Sequence, residues 1–209
     1  MRVARIENGR WRANCYVVSR GTDAVVIDPG GDVERIDAHV AERSLSPRAV
    51  LATHAHYDHV AAATEVVGRY GAPLHAHPAD GELLRRINLY GALFLGEDPI
   101  RPPELDVELA DGMELRFGEL EVGVVHTPGH SPGSVCLLIG GELFTGDTLM
   151  ASQLGRTDLA GGDRDALETS LALLGRRFPP ETTVRPGHGE AAVLGELLPR
   201  LATMPEWRG

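Results

Sequence analysis

Six consecutive residues, His54-Ala55-His56-Tyr57-Asp58-His59, place three imidazoles and one carboxylate in one short segment. Imidazole nitrogen and carboxylate oxygen are the donors that zinc, iron and manganese accept. If the run forms a turn after a strand, His54 and His56 point to the same side, because alternate residues share a face. Asp58 and His59 then lie around the bend and aim at a neighbouring point. Two pairs aimed at two points suggest two adjacent metal ions. An isolated His-x-His is commonly a surface or core pair, whereas four candidate donors in this order are far more specific. Two metals need further ligands. The best placed are His130 after the Pro128-Gly129 turn, Asp147 at the end of an apolar run, and His188 after Pro186-Gly187.

The segments that must position these residues alternate between short β-rich runs and amphipathic helices. Residues 14–19 and 24–28 read as strands, the second stopped by Asp28-Pro29-Gly30-Gly31. Asp32 suits the N-cap of a helix over about 33–43, where Val33, Ile36 and Val40 share a face. An apolar strand over 48–53 leads into the histidine segment, and a helix over about 59–70 follows, closed by Gly71 and Pro73. Residues 85–104, broken by Gly91, Gly96, Pro99, Pro102 and Pro103, read as an irregular insertion of loop or short helix in a single domain spanning 1–209. Strands are expected at about 105–109, 113–117, 120–126, 134–139 and 142–146. A helix over about 165–176 carries Leu167, Leu171 and Leu174 on one face; a strand at 182–185 and a helix near 190–201 close the chain. This order predicts an α+β fold with helices outside two stacked sheets. Several strands end in a polar residue and a turn, at Asp28, Thr53-His54, His130, Asp147 and His188, which suits a site built on loops at one rim.

Composition bounds the function. Of the 209 residues, 43% are hydrophobic and 24% charged, as in an ordinary domain that buries its own core. The formal charge of −10 repels phosphates and argues against a nucleic-acid partner. All 20 basic residues are arginine, so a lysine Schiff base is excluded. No apolar stretch approaches the roughly 20 residues of a membrane helix, and the first residues lack a secretory leader pattern. A cytoplasmic protein with no membrane association is expected. Cys15 and Cys136 sit in apolar strand contexts and are expected to be buried free thiols.

The segments H-A-H-Y-D-H, T-P-G-H-S-P-G-S, F-T-G-D-T-L and P-G-H-G, in this order and over nearly the whole chain, resemble the metallo-β-lactamase superfamily. The resemblance implies a four-layer αββα sandwich with metals at the rim between the sheets. It also implies that His54, His56 and His130 hold a first metal, that Asp58, His59 and His188 hold a second, and that Asp147 bridges both. Two divalent ions, zinc foremost with iron or manganese compatible, would share a water and lower its pKa toward about 7. The resulting hydroxide would attack a carbonyl whose oxygen a metal polarises. Asp58 would be catalytic as well as ligating, holding that hydroxide by a hydrogen bond.

The segment from Gly146-Asp147-Thr148-Leu149 through Leu154-Gly155-Arg156-Thr157-Asp158 to Asp163 resembles the glyoxalase II-related branch, in its compact bacterial form. That branch hydrolyses S-acyl thiols such as S-lactoylglutathione, so a small-molecule thioester is the expected substrate. A thiolate leaves without a dedicated general acid. The chain ends soon after His188, without the C-terminal helical region with which larger glyoxalase II enzymes grip glutathione, which leaves the carrier open. The same motifs admit a mononuclear-iron persulfide dioxygenase, a lactonase or β-lactam hydrolase, and a non-catalytic metal-binding scaffold. A secreted β-lactamase would be expected to carry a leader, and many such enzymes have cysteine where this chain has Asp147.

The remaining polar residues are assigned supporting roles. Asp28 at its strand end suits a hydrogen bond orienting the histidine segment, and His126 a contact supporting the turn before His130. His39 reads as surface, and His75 and His77 as residues flanking a strand end. Arg156 and Asp158 read as a salt-bridged turn supporting Asp147. Arg85 and Arg86 could meet an anionic thiol carrier.

Overall fold

The computed structural model describes residues 1–151 and 153–201. The strand Ala13–Arg20 shows how the layers arise. Its run Ala-Asn-Cys-Tyr-Val-Val is buried throughout, because alternate side chains serve opposite interfaces. Cys15 and Val17 join a cluster with helical residues, while Tyr16 and Val18 face the other sheet.

The first sheet runs in sequence order: β1 (Arg2–Asn8), β2 (Ala13–Arg20), β3 (Asp23–Ile27), β4 (Ser46–Leu51), β5 (Leu74–Ala76) and β6 (Val107–Glu108). β1 to β3 are antiparallel and β3 to β6 parallel. The second sheet comprises β7 (Glu114–Phe117), β8 (Leu120–His126), β9 (Val135–Ile139), β10 (Glu142–Gly146), β11 (Thr183–Pro186) and β12 (Ala192–Val193), also adjacent in sequence order. Its pairs are antiparallel except β10 with β11.

Helices cover both outer faces. On the first sheet, α1 (Val33–Glu42) buries Ile36 and Val40; α2 (Tyr57–Val60) precedes α3 (Ala63–Tyr70), which buries Val66 in the same cluster. Two short helices, α4 (Gly81–Arg85) and α5 (Ile87–Tyr90), follow. On the second sheet, α6 (Arg164–Arg177) and α7 (Leu194–Leu201) pack Leu167, Leu171, Leu174 and Leu197 against Val125, Cys136, Leu143 and Val184. Between the sheets, Val25, Ile27 and Leu51 meet Val122, Val124, Leu137 and Phe144. Three apolar interfaces between four layers make the expected αββα sandwich.

Local departures have local causes. The helix expected over 59–70 breaks in two, because the Ala62 N–H donates to the Pro29 carbonyl at 3.0 Å instead of continuing the helical ladder. Asp32 stands before α1, but its backbone is left-handed at φ 47° and its side chain caps nothing in the helix; the carboxylate accepts from Gly9 N–H at 3.0 Å. β1 was not foreseen, since Arg2, Arg5 and Glu7 interrupt its apolar pattern; it exists through its seven-residue register with β2. The strand expected at 105–109 shrinks to Val107–Glu108. The last helix begins at Leu194, its expected first turn being occupied by β12. Residues 85–104 hold the end of α4, then α5, a π-helical turn over 91–95 and irregular backbone.

Cys15 and Cys136 are buried and free, and burial pushes the Cys136 thiol up to about 12. Among the described residues no helix is long and apolar enough to cross a membrane.

Phe144, fully buried, meets Tyr16 edge-on with centroids 5.1 Å apart across the two sheets. Phe144→Ala is expected to destabilise the domain by about 3–5 kcal/mol, read as a lowered denaturant midpoint with an unchanged slope.

Candidate metal centre

The strand directions bring the candidate residues to one rim. β3 and β4 run parallel, and β8, β10 and β11 share a direction in the facing sheet. Asp28, the histidine segment, His130, Asp147 and His188 all follow the C-terminal ends of those strands. Contacts across the rim close it: Val135 N–H donates to Thr53 O at 2.8 Å, Gly187 N–H to Gly146 O at 2.7 Å, and Asn14 N–H to Gly187 O at 2.7 Å. Glycine is required where backbones meet the site. A Cβ at Gly30 would overlap the Asp58 carbonyl, and one at Gly187 the Asp147 carboxylate.

All seven residues singled out by the sequence converge here. His54, His56 and His130 form one group able to hold an ion, and Asp58, His59 and His188 another, the donor atoms of each lying within 4.8 Å of one another. In the first, His56 Nδ1 lies 2.8 Å from His130 Nε2. In the second, His188 Nε2 lies 3.3 Å from both His59 Nε2 and Asp58 Oδ2. Asp147 stands between them: its carboxylate is 3.6 Å from His130 Nε2 on one side and 3.6 Å from His59 Nε2 and His188 Nε2 on the other.

The donor set fits metal ions. His54 Nε2 and Asp147 Oδ1 are buried without a hydrogen-bond partner, a costly arrangement that a bound cation would satisfy. The opposite ring nitrogens are tied to the protein, which fixes the rings with Nε2 facing inward. His54 Nδ1 meets Thr53 Oγ1 at 3.1 Å, His59 Nδ1 meets Asp28 Oδ2 at 3.1 Å, and His130 Nδ1 meets the Arg156 carbonyl at 2.8 Å. Asp28 also accepts from Thr53 N–H at 2.7 Å and Thr53 O–H at 2.6 Å, so one carboxylate orients rings of both groups. A group of Asp28, His54 and His59 is also within ligating range of itself, but the Asp28 oxygens are already occupied by these donors.

Sequence reasoning did not single out Asp80. Fully buried, it accepts from Ala55 N–H at 2.9 Å, Ser131 O–H at 2.8 Å and Gly133 N–H at 2.6 Å, clamping the histidine segment to the His130 turn. Burial raises its pKa against these hydrogen bonds. Asn14 and Tyr16 were also missed. Asn14 Nδ2 donates to the Pro186 carbonyl at 2.9 Å, and Tyr16 O–H to the same carbonyl at 2.7 Å, holding the strand end before His188. No local pattern marks these three; only the packing of distant loops gives them partners.

The two groups differ electrostatically. Burial and the neighbouring rings lower His54 well below the usual imidazole range and bring His56 to about 3, so both present neutral lone pairs. Burial would also lower His59, but Asp58, Asp147 and Asp28 outweigh it and raise that ring to about 10. Burial opposes ionisation of Asp58, yet His59 and His188 hold its carboxyl below the usual range. The field of these carboxylates favours the protonated rings, and a cation entering there must displace their protons.

The other residues have structural roles. His126 Nε2 donates to the Pro132 carbonyl at 2.9 Å, supporting the turn as expected. His75 is buried beside Phe117, His77 stacks on His126, and His39 is half-buried on α1. Arg156 and Asp158 pair through two 2.9 Å hydrogen bonds; the segment's carbonyl holds His130, where support for Asp147 was expected. Arg85 and Arg86 both bind Glu82.

A cavity of about 310 Å³ opens beside the cluster, lined by His56, Asp58, His130, Asp147 and His188 and otherwise mostly by apolar side chains, with Gln153 and Arg156 among them.

Comparison with known proteins gives matches over most of the chain. The sequence model of the metallo-beta-lactamase superfamily matches residues 8–188. The chain is 35% identical over 204 residues to the probable metallo-hydrolase YqgX of Bacillus subtilis, covering 94% of each. It is 27% identical to hydroxyacylglutathione hydrolase GloC of Haemophilus influenzae, over 89% of this chain and 90% of that one. Among solved structures, BLEG-1, a B3 metallo-beta-lactamase, superposes with a TM-score of 0.90 at 32% identity over the full length of both chains. TTHA1623 in a di-iron-bound form matches at 0.84 and 40% identity, covering 92% and 96%. ETHE1 from Myxococcus xanthus matches at 0.78 and 29% identity, covering 97% and 85%.

Asp28→Asn keeps the side chain's size but removes the charge that orients His59 and Thr53. It is expected to weaken metal binding by about 10–100-fold, measured by competition with a chromophoric chelator; unchanged affinity would refute the orienting role.

Proposed function

The chain belongs to the metallo-beta-lactamase superfamily and is a metal-dependent hydrolase of it, and from that premise we propose that it cleaves S-acyl thiol thioesters at a two-metal site. In this reading His54, His56 and His130 hold one ion, Asp58, His59 and His188 the other, and Asp147 bridges them, with zinc as the resident metal and iron or manganese as substitutes. The bound pair supplies Lewis acidity toward the acyl oxygen and lowers the pKa of a water.

One observation carries the preference for a thioester. Among the described residues bordering the cavity, the ionisable side chains outside the seven candidate ligands are Tyr57, Tyr90 and Arg156. Tyr57 donates its O–H to the Asp98 carbonyl at 2.8 Å, and burial together with Glu97 and Asp98 raises its pKa. Arg156 is paired with Asp158 and does not release a proton at neutral pH. Neither Tyr57 nor Arg156 is suited to protonate the amine leaving from an amide or β-lactam. A thiol of pKa about 8.5 leaves as the thiolate without one. The Asp58 carboxylate borders the cavity and accepts a hydrogen bond from the attacking water, holding its lone pair toward the acyl carbon. The C–S bond breaks, water's oxygen remains on the acyl carbon as part of a carboxylate, sulfur departs with the bonding pair as the thiolate, and water's two protons pass to solvent. The likeness to GloC, named for hydroxyacylglutathione hydrolysis, supports the same class.

A second reading, which the histidine segment and the Gly155-Arg156-Thr157-Asp158 segment also admit, is a mononuclear-iron persulfide dioxygenase. The intact Asp58, His59, His188 and Asp147 set favours the two-metal hydrolase over it.

Metal analysis of the purified protein is expected to give two ions per chain together with thioester hydrolysis. Asp147→Ala is expected to lose both ions and the activity, and His59→Ala chiefly the second ion. One iron per chain with oxygen uptake on glutathione persulfide and no thioesterase activity would establish the second reading instead.

A further inference from the structure

Beyond the candidate ligands, the cavity wall includes Trp11, Tyr57, Tyr90, Leu95, Met150 and Leu154. Two of its polar atoms are committed elsewhere: Trp11 Nε1 donates to Glu97 at 3.0 Å, and Tyr57 O–H to the Asp98 carbonyl at 2.8 Å; Gln153 also lines the cavity, its Nε2 donating to Met150 Sδ at 3.8 Å. The bordering cation, Arg156, is held in a bidentate pair by Asp158. Arg85 and Arg86, which the sequence offered for an anionic carrier, are bound to Glu82 and are not among the cavity's lining residues. Away from the candidate ligands the lining is mostly apolar, so a carboxylate held against it would give up hydration with few donors to replace it. An apolar group entering it gains instead from every methylene removed from water.

The wall is braced from two directions. Glu97 follows the π-helical turn after α5 and clasps Trp11 in the β1–β2 turn, and Arg10 lies 5.3 Å over the Trp11 ring. Gly91 in the same turn packs so closely on the Tyr57 ring that a Cβ there would overlap it. Leu89 and Leu93 on this segment are 50% and 67% exposed.

We propose that this cavity is an acyl pocket: the substrate brings an uncharged, apolar acyl chain of several carbons or an aromatic ring, and Trp11, positioned by Glu97, sets the size admitted. The substrate class rests on the thioester reading above. The apolar preference rests on the wall alone. A thiol carrier such as glutathione, with two carboxylates and an ammonium, then lies outside the cavity or is replaced by an uncharged thiol.

Two measurements test this together. Ethyl, butyl and hexyl thioethers of N-acetylcysteamine, which cannot be hydrolysed, are titrated by calorimetry into the metal-free chain. The acetyl, butanoyl and hexanoyl thioesters of the same thiol, with S-lactoylglutathione, are assayed on the metal-loaded enzyme. Thioether affinity and kcat/KM are both expected to rise with chain length, by up to about fourfold per methylene, the equivalent of about 0.8 kcal/mol. Trp11→Ala is expected to cut the hexyl-to-ethyl affinity ratio and the hexanoyl-to-acetyl kcat/KM ratio about tenfold, and Glu97→Ala to move both in the same direction. Affinities flat across the thioethers, or S-lactoylglutathione preferred over hexanoyl thioester, would overturn the proposal. Thioethers binding with the chain-length trend, with no thioester turned over, would leave the apolar pocket standing and overturn the thioester reading.

Discussion

A buried carboxylate at the end of β3 organises the centre. Asp28, in left-handed backbone at φ 52°, takes the Thr53 N–H, the Thr53 O–H and the His59 ring N–H on its two oxygens. An anion removed from water is tolerable only with such a complement of donors, so the histidine segment must lie where it does. Thr53 then passes the constraint to the His54 ring. Asp80 does the corresponding work on the other flank, where Ala55 and the His130 turn supply its donors. Two buried carboxylates thus pin one loop from two sides, and His54 Nε2 is left within the cluster without a hydrogen-bond partner.

That arrangement explains why the cluster survives in a buried setting. Burial and neighbouring rings disfavour protonation of His54 and His56, and the carboxylates of the other group attract positive charge; a cation lowers the free energy of both. The close backbone approaches at Gly30 and Gly187 are part of the same economy of space, since each lets a loop reach a carboxylate without a side chain intervening. The largely apolar lining of the cavity lowers the local dielectric beside the cluster, where electrostatic interactions gain strength.

Much of the centre was legible because metal ligation restricts residue type. His54, His56, Asp58, His59, His130, Asp147 and His188 announce themselves by side-chain chemistry and by the turns that carry them, and the structure brings all seven to one rim. The layers were legible too, because alternation along β2 and the leucine spacing in α6 report burial directly. The break between α2 and α3 was not, since Ala61 and Ala62 are good helix formers and the interruption comes from Pro29 in a distant loop. Nor was β1, whose charged positions face outward and whose strand character comes from its partner.

The residues alone therefore determined the donor set, the outer architecture and the class of chemistry, each written in local composition and spacing. Only the tertiary structure decided which nitrogen of each ring faces inward, that Asp147 stands between two groups, that Asp80, Asn14 and Tyr16 support them, and that the rest of the cavity lining is mostly apolar. These depend on hydrogen bonds and packing between residues up to 172 positions apart. Such contacts arise when two sheets close on one another, and no periodicity along the chain encodes them.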